Sequence, residues 1–394
     1  MSSVEVDTPI LCSPFAEPGE HWWIEEGRMP ERRSGRRPAG YWYRDPKAPE
    51  PEAGFTRGIW LPLDHVNLIR ERIATWREQG YPGVTRTTLE LLEWWRRDGR
   101  KQPLFIAQVE AVEAIVFLAE ARSDLRQGVD VPPELGGSFL RYACKMATGS
   151  GKTTVMAMLS AWSILNKVAA RGDARFSDVV LVVCPNVTIR NRLRELDPNQ
   201  GEASVYRTRD LVPGHVMPQL RRGRVLVKNW HEFERKGMSA GAKVQKRGVQ
   251  EQFKATIQIG AQTTSGRGRR VLTEQALRML IDQGVMRILE DRRPGKAEVE
   301  VEETRYVESD AALIKRVLGR EVGSKENILV LNDEAHHAYR IVDEAPEDDA
   351  TEDAEALDEE TIPEFVQEAT VWVDGLDRIH RLRRINFCVD LSAT

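Results

Sequence analysis

The chain has 394 residues, with 57 Lys and Arg against 61 Asp and Glu (formal net charge −4), 41% hydrophobic residues and four cysteines. This length and apolar content suffice for sizeable cores, and the negative balance excludes a uniformly basic nucleic-acid coat. No long apolar run occurs and the amino terminus has neither a basic start nor an apolar core, which argues against secreted and membrane-bound classes and for a cytoplasmic protein with no membrane partner.

Residues 1–60 are rich in Pro, Gly, Arg and aromatics, with Trp22, Trp23, Trp42 and Tyr43 set among Arg32-Arg33 and Arg36-Arg37. No regular period appears, so an irregular arm is expected. Its rings suit draping over a core better than binding nucleic acid, because tryptophan is mostly buried. Residues 61–100 read as a helical prelude. One helix runs from Asp64, as its cap, to Gln79 and stops at Gly80, and a second runs from about Thr87 to Asp98 and stops at Gly99. A third helix is expected near Gln108 to Arg122. The Pro132-Pro133 and Gly136-Gly137 turns then lead into a strand over Phe139 to Lys145.

That strand runs into Met146-Ala147-Thr148-Gly149-Ser150-Gly151-Lys152-Thr153-Thr154. Its two glycines let backbone N–H groups turn inward around a phosphate without a Cβ clash. Lys152 would reach the β- and γ-phosphates, and Thr153 would offer its hydroxyl to Mg²⁺. The apolar pattern after them reads as a helix whose positive end faces the anion. Met146 stands where the general phosphate loop carries its first glycine.

Downstream, Val179 to Val183 reads as a strand releasing Pro185, Asn186 and Arg190, and Val225 to Val227 as another releasing Asn229 and Trp230. Trp230 suits either base stacking or packing at a strand end. The run Ile328 to Leu331 is the short apolar segment of a strand buried on both faces, delivering Asn332, Asp333 and Glu334 at its C-terminal edge. Ligands bind at that edge of open α/β sheets. Asp333 would hold the Mg²⁺ shell and Glu334 would deprotonate the attacking water. The expected cofactors are ATP and Mg²⁺, held by Thr148, Gly149, Ser150, Gly151, Lys152, Thr153 and Thr154.

Ala-Thr-Gly-Ser-Gly-Lys-Thr, then Asp-Glu-Ala-His, then Ser392-Ala393-Thr394 resemble motifs I, II and III of superfamily 2 helicases. The flanking residues are similar to those of the restriction subunit of type III restriction enzymes. The resemblance spans about Leu104 to Thr394. It implies an α/β fold with a central parallel sheet, a RecA-like P-loop NTPase domain, over 101–394. It also implies a DNA helicase or translocase activity, and DNA and a modification (methyltransferase) subunit as partners. Gln108 would contact the adenine, although it also reads as a solvated helix glutamine. His336 would couple the nucleotide site to motif III through Ser392 and Thr394, and Pro185, Asn186, Arg190, Asn229 and Trp230 would grip nucleic acid. An RNA-directed helicase shares these motifs, and a non-catalytic nucleotide- or DNA-binding remnant is the rival from another class.

Two insertions are expected, at about 234–325 and 343–362. The first carries Lys243, Lys246, Arg247, Arg267, Arg269 and Arg270, with a helix over Leu272 to Leu289. The second is acidic from Asp343 to Glu360 and reads as a solvated loop. Gln262 to Arg269 approximates the arginine-finger motif VI but precedes motif II, so a basic loop is the better reading. The cysteines Cys12, Cys144, Cys184 and Cys388 lack metal-ligand spacing, as in a reducing compartment. With motif III at Thr394, the second RecA-like and nuclease domains are expected to lie outside this sequence. The chain alone should then turn ATP over poorly, since arginine fingers are worth on the order of a thousandfold or more.

Overall fold

The computed structural model describes residues 8–25, 29–43, 58–129, 137–237, 248–260, 271–289, 298–320, 322–338 and 364–393. They form two compact units, one of residues 1–230 with 322–394 and one of residues 231–321.

The first unit opens with two hairpins, β1 (Glu20–Trp23) with β2 (Glu31–Ser34) and β3 (Gly40–Tyr43) with β4 (Ile59–Pro62). The arm is therefore more regular than its sequence suggested, because Glu31-Arg32-Arg33-Ser34 carries none of the apolar alternation that marks a strand. Its tryptophans are half-buried and meet one another, while Phe15, Tyr41 and Tyr43 stay exposed. Trp60 stands edge-on to both Trp23 and Trp42, and Phe15 lies 5.3 Å from Phe105. The Ile106 N–H donates to the Pro14 carbonyl at 2.9 Å, and Arg36 pairs with Glu110.

Three helices follow: α1 (Asp64–Glu78), α2 (Arg86–Arg96) and α3 (Ile106–Glu120). Asp64 is the first helical residue and not the cap. Leu63 holds that place without a side-chain bond, so Asp64 contributes charge to the first turn. The α2 cap is Thr85, whose hydroxyl accepts from the Thr88 N–H at 3.0 Å. Ile73, Trp76, Leu91 and Trp95 enter the same apolar core as the central sheet, so the helices that precede the glycine loop after β5 are part of its support.

Two buried carboxylates tie these helices together. Glu113 on α3 accepts from Arg77 of α1, Arg96 of α2 and the Tyr81 hydroxyl, at 2.5–2.9 Å. Glu120 accepts from the Thr88 hydroxyl, the Thr85 N–H and the Trp162 indole.

The central sheet has five parallel strands: β5 (Leu140–Lys145), β6 (Val179–Cys184), β7 (Arg224–Asn229), β12 (Ile328–Asp333) and β13 (Ile385–Ser392). Their spatial order is β5-β13-β12-β6-β7. The strands β6 and β12 are buried along their whole length, as expected of a sheet covered on both faces. Helix α4 (Lys152–Ala169) starts directly from the loop after β5, and its residues Thr154 to Asn166 are all buried. Short helical segments α5 (Val187–Arg192), α6 (Val205–Thr208) and α7 (Met217–Leu220) connect β6 to β7.

The second unit is a mixed sheet built on β8 (Gly248–Ile259), which pairs antiparallel with β11 (Glu298–Glu308) and parallel with the short β9 (Val271–Leu272). Helix α8 (Glu274–Asp282), β10 (Met286–Ile288) and α9 (Asp310–Leu318) complete the unit. Ile257, Leu272, Leu277, Met286, Val299 and Val301 form its core. The single helix expected over Leu272 to Leu289 is thus strand, helix and strand. Thr273 caps α8 by accepting from the Ala276 N–H, and Gly284 at φ 69° turns the chain out of it. The basic residues Lys243, Lys246, Arg247, Arg267, Arg269 and Arg270 and the acidic run 343–360 lie outside the described residues.

In the first unit, α10 (Glu364–Arg383) leads directly into β13. Among the described residues no helix is long and apolar enough to cross a membrane.

Burial alone would raise the Glu113 carboxyl, but the bonds from Arg96 and Arg77 outweigh it and hold the group below its ordinary value. A depressed carboxyl stabilises the fold above the ordinary value near 4.5 and loses that contribution as pH falls through its own lower value. Glu113→Gln removes the charged partner of Arg96 and one of the two of Arg77, which keeps Glu17, so denaturant titration at pH 7 should show a loss of about 3 kcal/mol. The loss should shrink towards pH 3.

Candidate functional site

All five parallel strands end at one edge of the sheet, and the residues expected to act chemically gather there. From β5 the chain passes through Met146, whose N–H donates to the Ser392 carbonyl at 2.8 Å, into a loop with Gly149 at φ 80° and Gly151 at φ 88°. Both lie in the left-handed region that favours glycine. Ser150 closes the turn, its N–H and hydroxyl both donating to the Ala147 carbonyl at 3.1 and 2.6 Å. Among the described residues, the N–H groups of Gly149, Gly151, Lys152 and Thr153 have no protein acceptor. They lie at the N-terminus of α4, where donors and the helix dipole favour an anion.

Gln108 holds this loop from below. Its Oε1 accepts from the Phe105 N–H and its Nε2 donates to the Ser150 carbonyl, both at 3.0 Å, and the residue is 3% exposed. It is neither solvated nor idle. It also lines a recess of about 50 Å³ with Gln102, Pro103, Leu104, Phe105 and Arg209. A Cβ on Gly151 would stand 2.1 Å from Gln108 Nε2, so the glycine is required by close approach as well as by φ.

Across the edge, β12 delivers Asn332, Asp333 and Glu334. Glu334 adopts φ 52° and ψ 49°, a left-handed conformation that costs a non-glycine residue on the order of 1–2 kcal/mol. This turn aims its carboxylate back at the loop, where Oε1 stands 2.9 Å from Lys152 Nζ. His336 Nδ1 lies 3.0 Å from Ser392 Oγ at the end of β13, so the histidine and serine expected to couple are in hydrogen-bond contact. His337, which the sequence left without a role, faces Glu368 of α10 at 3.2 Å. Thr394 and Tyr339 lie outside the described residues.

Asp333 is 2% exposed. Burial, then the charge of Glu334, pushes its carboxyl above the ordinary range, and Lys152 and Arg192 pull it only partly back. A cation at this carboxylate would relieve both causes. Among the described residues there is no cluster of three or more His, Cys, Asp or Glu suited to a metal. The magnesium ligands expected from the sequence, Asp333 and the Thr153 hydroxyl, are two oxygen donors, a number with which magnesium would keep most of its waters.

The other expected residues are less uniform. Thr148 is exposed and Thr153 half-buried, whereas Thr154 is 1% exposed and serves the core of α4. Asn186 caps α5, its Oδ1 accepting from the Ile189 N–H at 2.9 Å, with Pro185 and Arg190 half-buried beside it. Asn229 is buried at the end of β7, opposite Cys184 of β6. Trp230 is 6% exposed, which agrees with packing and presents no open ring face for a base.

Sequence reasoning missed Arg192, whose charge reaches Asp333. It also missed Arg141 and Asp390, an ion pair linking β5 to β13 beside the Ala338 carbonyl. No local pattern marks these three, because only the strand order brings them to the edge. Comparison of the chain with family models, with curated proteins and with solved structures finds no match.

Gly151→Ala should displace Gln108 from Ser150 and close the anion cradle, weakening triphosphate binding at least tenfold by calorimetry while the far-ultraviolet dichroism stays unchanged. The raised Asp333 carboxyl has the opposite sign to Glu113. Its favourable contribution is present below the ordinary value of 3.8 and lost as pH rises through the higher folded value. Asp333→Asn should therefore melt above the parent protein at pH 7, and scanning calorimetry should show the gain vanish below about pH 4.

Proposed function

We propose that this chain is the ATP-binding module of a DNA helicase or translocase, a RecA-like domain similar to that of the type III restriction subunits among superfamily 2 helicases. The observation that carries the reading is the 2.9 Å contact between Lys152 and Glu334. Residues far apart in sequence meet at the ligand-binding edge of a parallel sheet, one in a loop of unpaired N–H donors and the other after a buried aspartate.

In this reading the loop N–H groups and Lys152 bind the β- and γ-phosphates of ATP. Thr153 and Asp333 hold Mg²⁺, which when bound neutralises charge developing on the transferred phosphoryl group. An incoming γ-phosphate competes with Glu334 for Lys152. The released carboxylate then orients a water in line with the γ-phosphorus and accepts its proton. His336 senses that movement of Glu334, whose Oε2 lies 3.7 Å from its Nδ1, and passes it to Ser392. Pro185, Asn186 and Arg190 occupy the same edge, where they suit phosphates of one DNA strand, whereas Asn229 is buried like Trp230.

ATP turnover by the purified chain, with single-stranded DNA, duplex DNA or RNA added, tests the proposal. The expected result is slow hydrolysis, stimulated more by DNA than by RNA and reduced at least tenfold by Glu334→Gln. ATP binding with turnover no greater than that of Glu334→Gln would favour a non-catalytic remnant, and stronger stimulation by RNA an RNA-directed motor.

A further inference from the structure

The segment from Asn332 to Ala338 carries both acidic residues of the site and His336, yet its two ends are not held by the nucleotide loop. At its start, Asn332 Nδ2 donates to Asp390 Oδ1 at 2.8 Å, and Asn332 Oδ1 accepts from the Trp372 indole of α10 at 3.2 Å. At its end, the Ala338 carbonyl accepts from Arg141 Nη2 at 2.5 Å. The same guanidinium donates through Nε and Nη2 to Asp390 Oδ2, at 3.0 and 2.7 Å. The side chains of Arg141 and Asp390 are 10% and 15% exposed.

One carboxylate therefore bonds at both ends of the segment, directly to Asn332, which the strand ladder also holds, and through Arg141 to Ala338, which lies beyond the ladder. Asp390 also stands two residues before Ser392, the partner of His336. Between these anchors Glu334 is held in its left-handed conformation, which a loosely held segment would relax.

We propose that Asp390 and Arg141 are positioning residues for Glu334: their ion pair sets the segment's ends so that the carboxylate faces Lys152, and it carries changes at that carboxylate into β13 and, through Asn332 and Trp372, into α10. The inference rests on the reading of Lys152 and Glu334 as a nucleotide site, but the pinning of the segment stands on its own geometry. Neither residue touches the phosphate loop's donors. Their loss should therefore spare ATP binding and impair hydrolysis of the bound nucleotide.

The test uses the full chain with Arg141→Gln, Asp390→Asn and the double variant, in which no buried charge is left unpaired. Glutamine at position 141 is too short to reach both the new amide at position 390 and the Ala338 carbonyl, so the double variant should recover the parent's melting temperature without recovering the clamp. Hydrogen exchange of the amides from Asp333 to Ala338 should quicken at least tenfold in it, with β6 unchanged. ATP·Mg²⁺ affinity should stay within about twofold, and kcat should fall at least tenfold at unchanged KM. Parent-like exchange in that segment would overturn the proposal even if turnover is too slow to measure, as would parent-like kcat in a double variant of parent stability. Failure of the parent itself to bind ATP would instead overturn the nucleotide reading and leave the exchange result to decide the clamp.

Discussion

Strand β13 lies between the strand that ends in the phosphate loop and the strand that ends in Asp333. Two steps of about 4.8 Å separate β5 from β12, so about 10 Å lies between the ends that must cooperate. Long side chains bridge that gap: Lys152 from the start of α4 and Glu334 from a left-handed turn that swings it off the strand axis. The intervening strand supplies Ser392, whose carbonyl accepts from Met146 of the loop and whose hydroxyl meets His336. A parallel sheet of this order places donors, acids and a connecting serine on one edge without any of them being neighbours in sequence.

Burying charged groups costs solvation, and the structure offsets that cost unevenly. Where the role is support, the charges are matched: Glu113 and Glu17 with Arg77 and Arg96, and Arg141 with Asp390. At the proposed reacting centre the matching is incomplete. Asp333 is buried with its carboxyl pushed up, and Glu334 pairs with a lysine that a phosphate would claim. Incomplete compensation is the usual condition of a site that awaits a charged ligand.

The parts of this arrangement that were legible in the sequence are those set by local physics. A short continuous apolar run sufficed for β6 and β12, and glycines sufficed for the end of α1 and for the loop itself, whereas α2 ends at Arg96, before the expected stop at Gly99. The resemblance implies that the loop, Asp333-Glu334 and Ser392 gather at one site; the structure puts Lys152 2.9 Å from Glu334 and His336 3.0 Å from Ser392, a direct Lys152 contact that the sequence did not suggest. Polar four-residue strands such as Glu31–Ser34 left no pattern to read. The run after Gly284 kept an apolar spacing that helix and strand share, which hid β10. Gln108 was expected at an adenine or in solvent, and its place as the loop's support depends on the approach of α3 to Gly151, which only tertiary packing decides. Trp230 shows the same limit, since burial at a strand end is invisible one residue at a time.

The most direct measurement is calorimetric titration of the full chain with ATP in the presence of Mg²⁺, in parallel with Lys152→Ala. One site per chain is expected in the parent, with affinity at least a hundredfold weaker in the variant. Equal binding by the two proteins would contradict the nucleotide site, because Lys152 is then not where the phosphates sit.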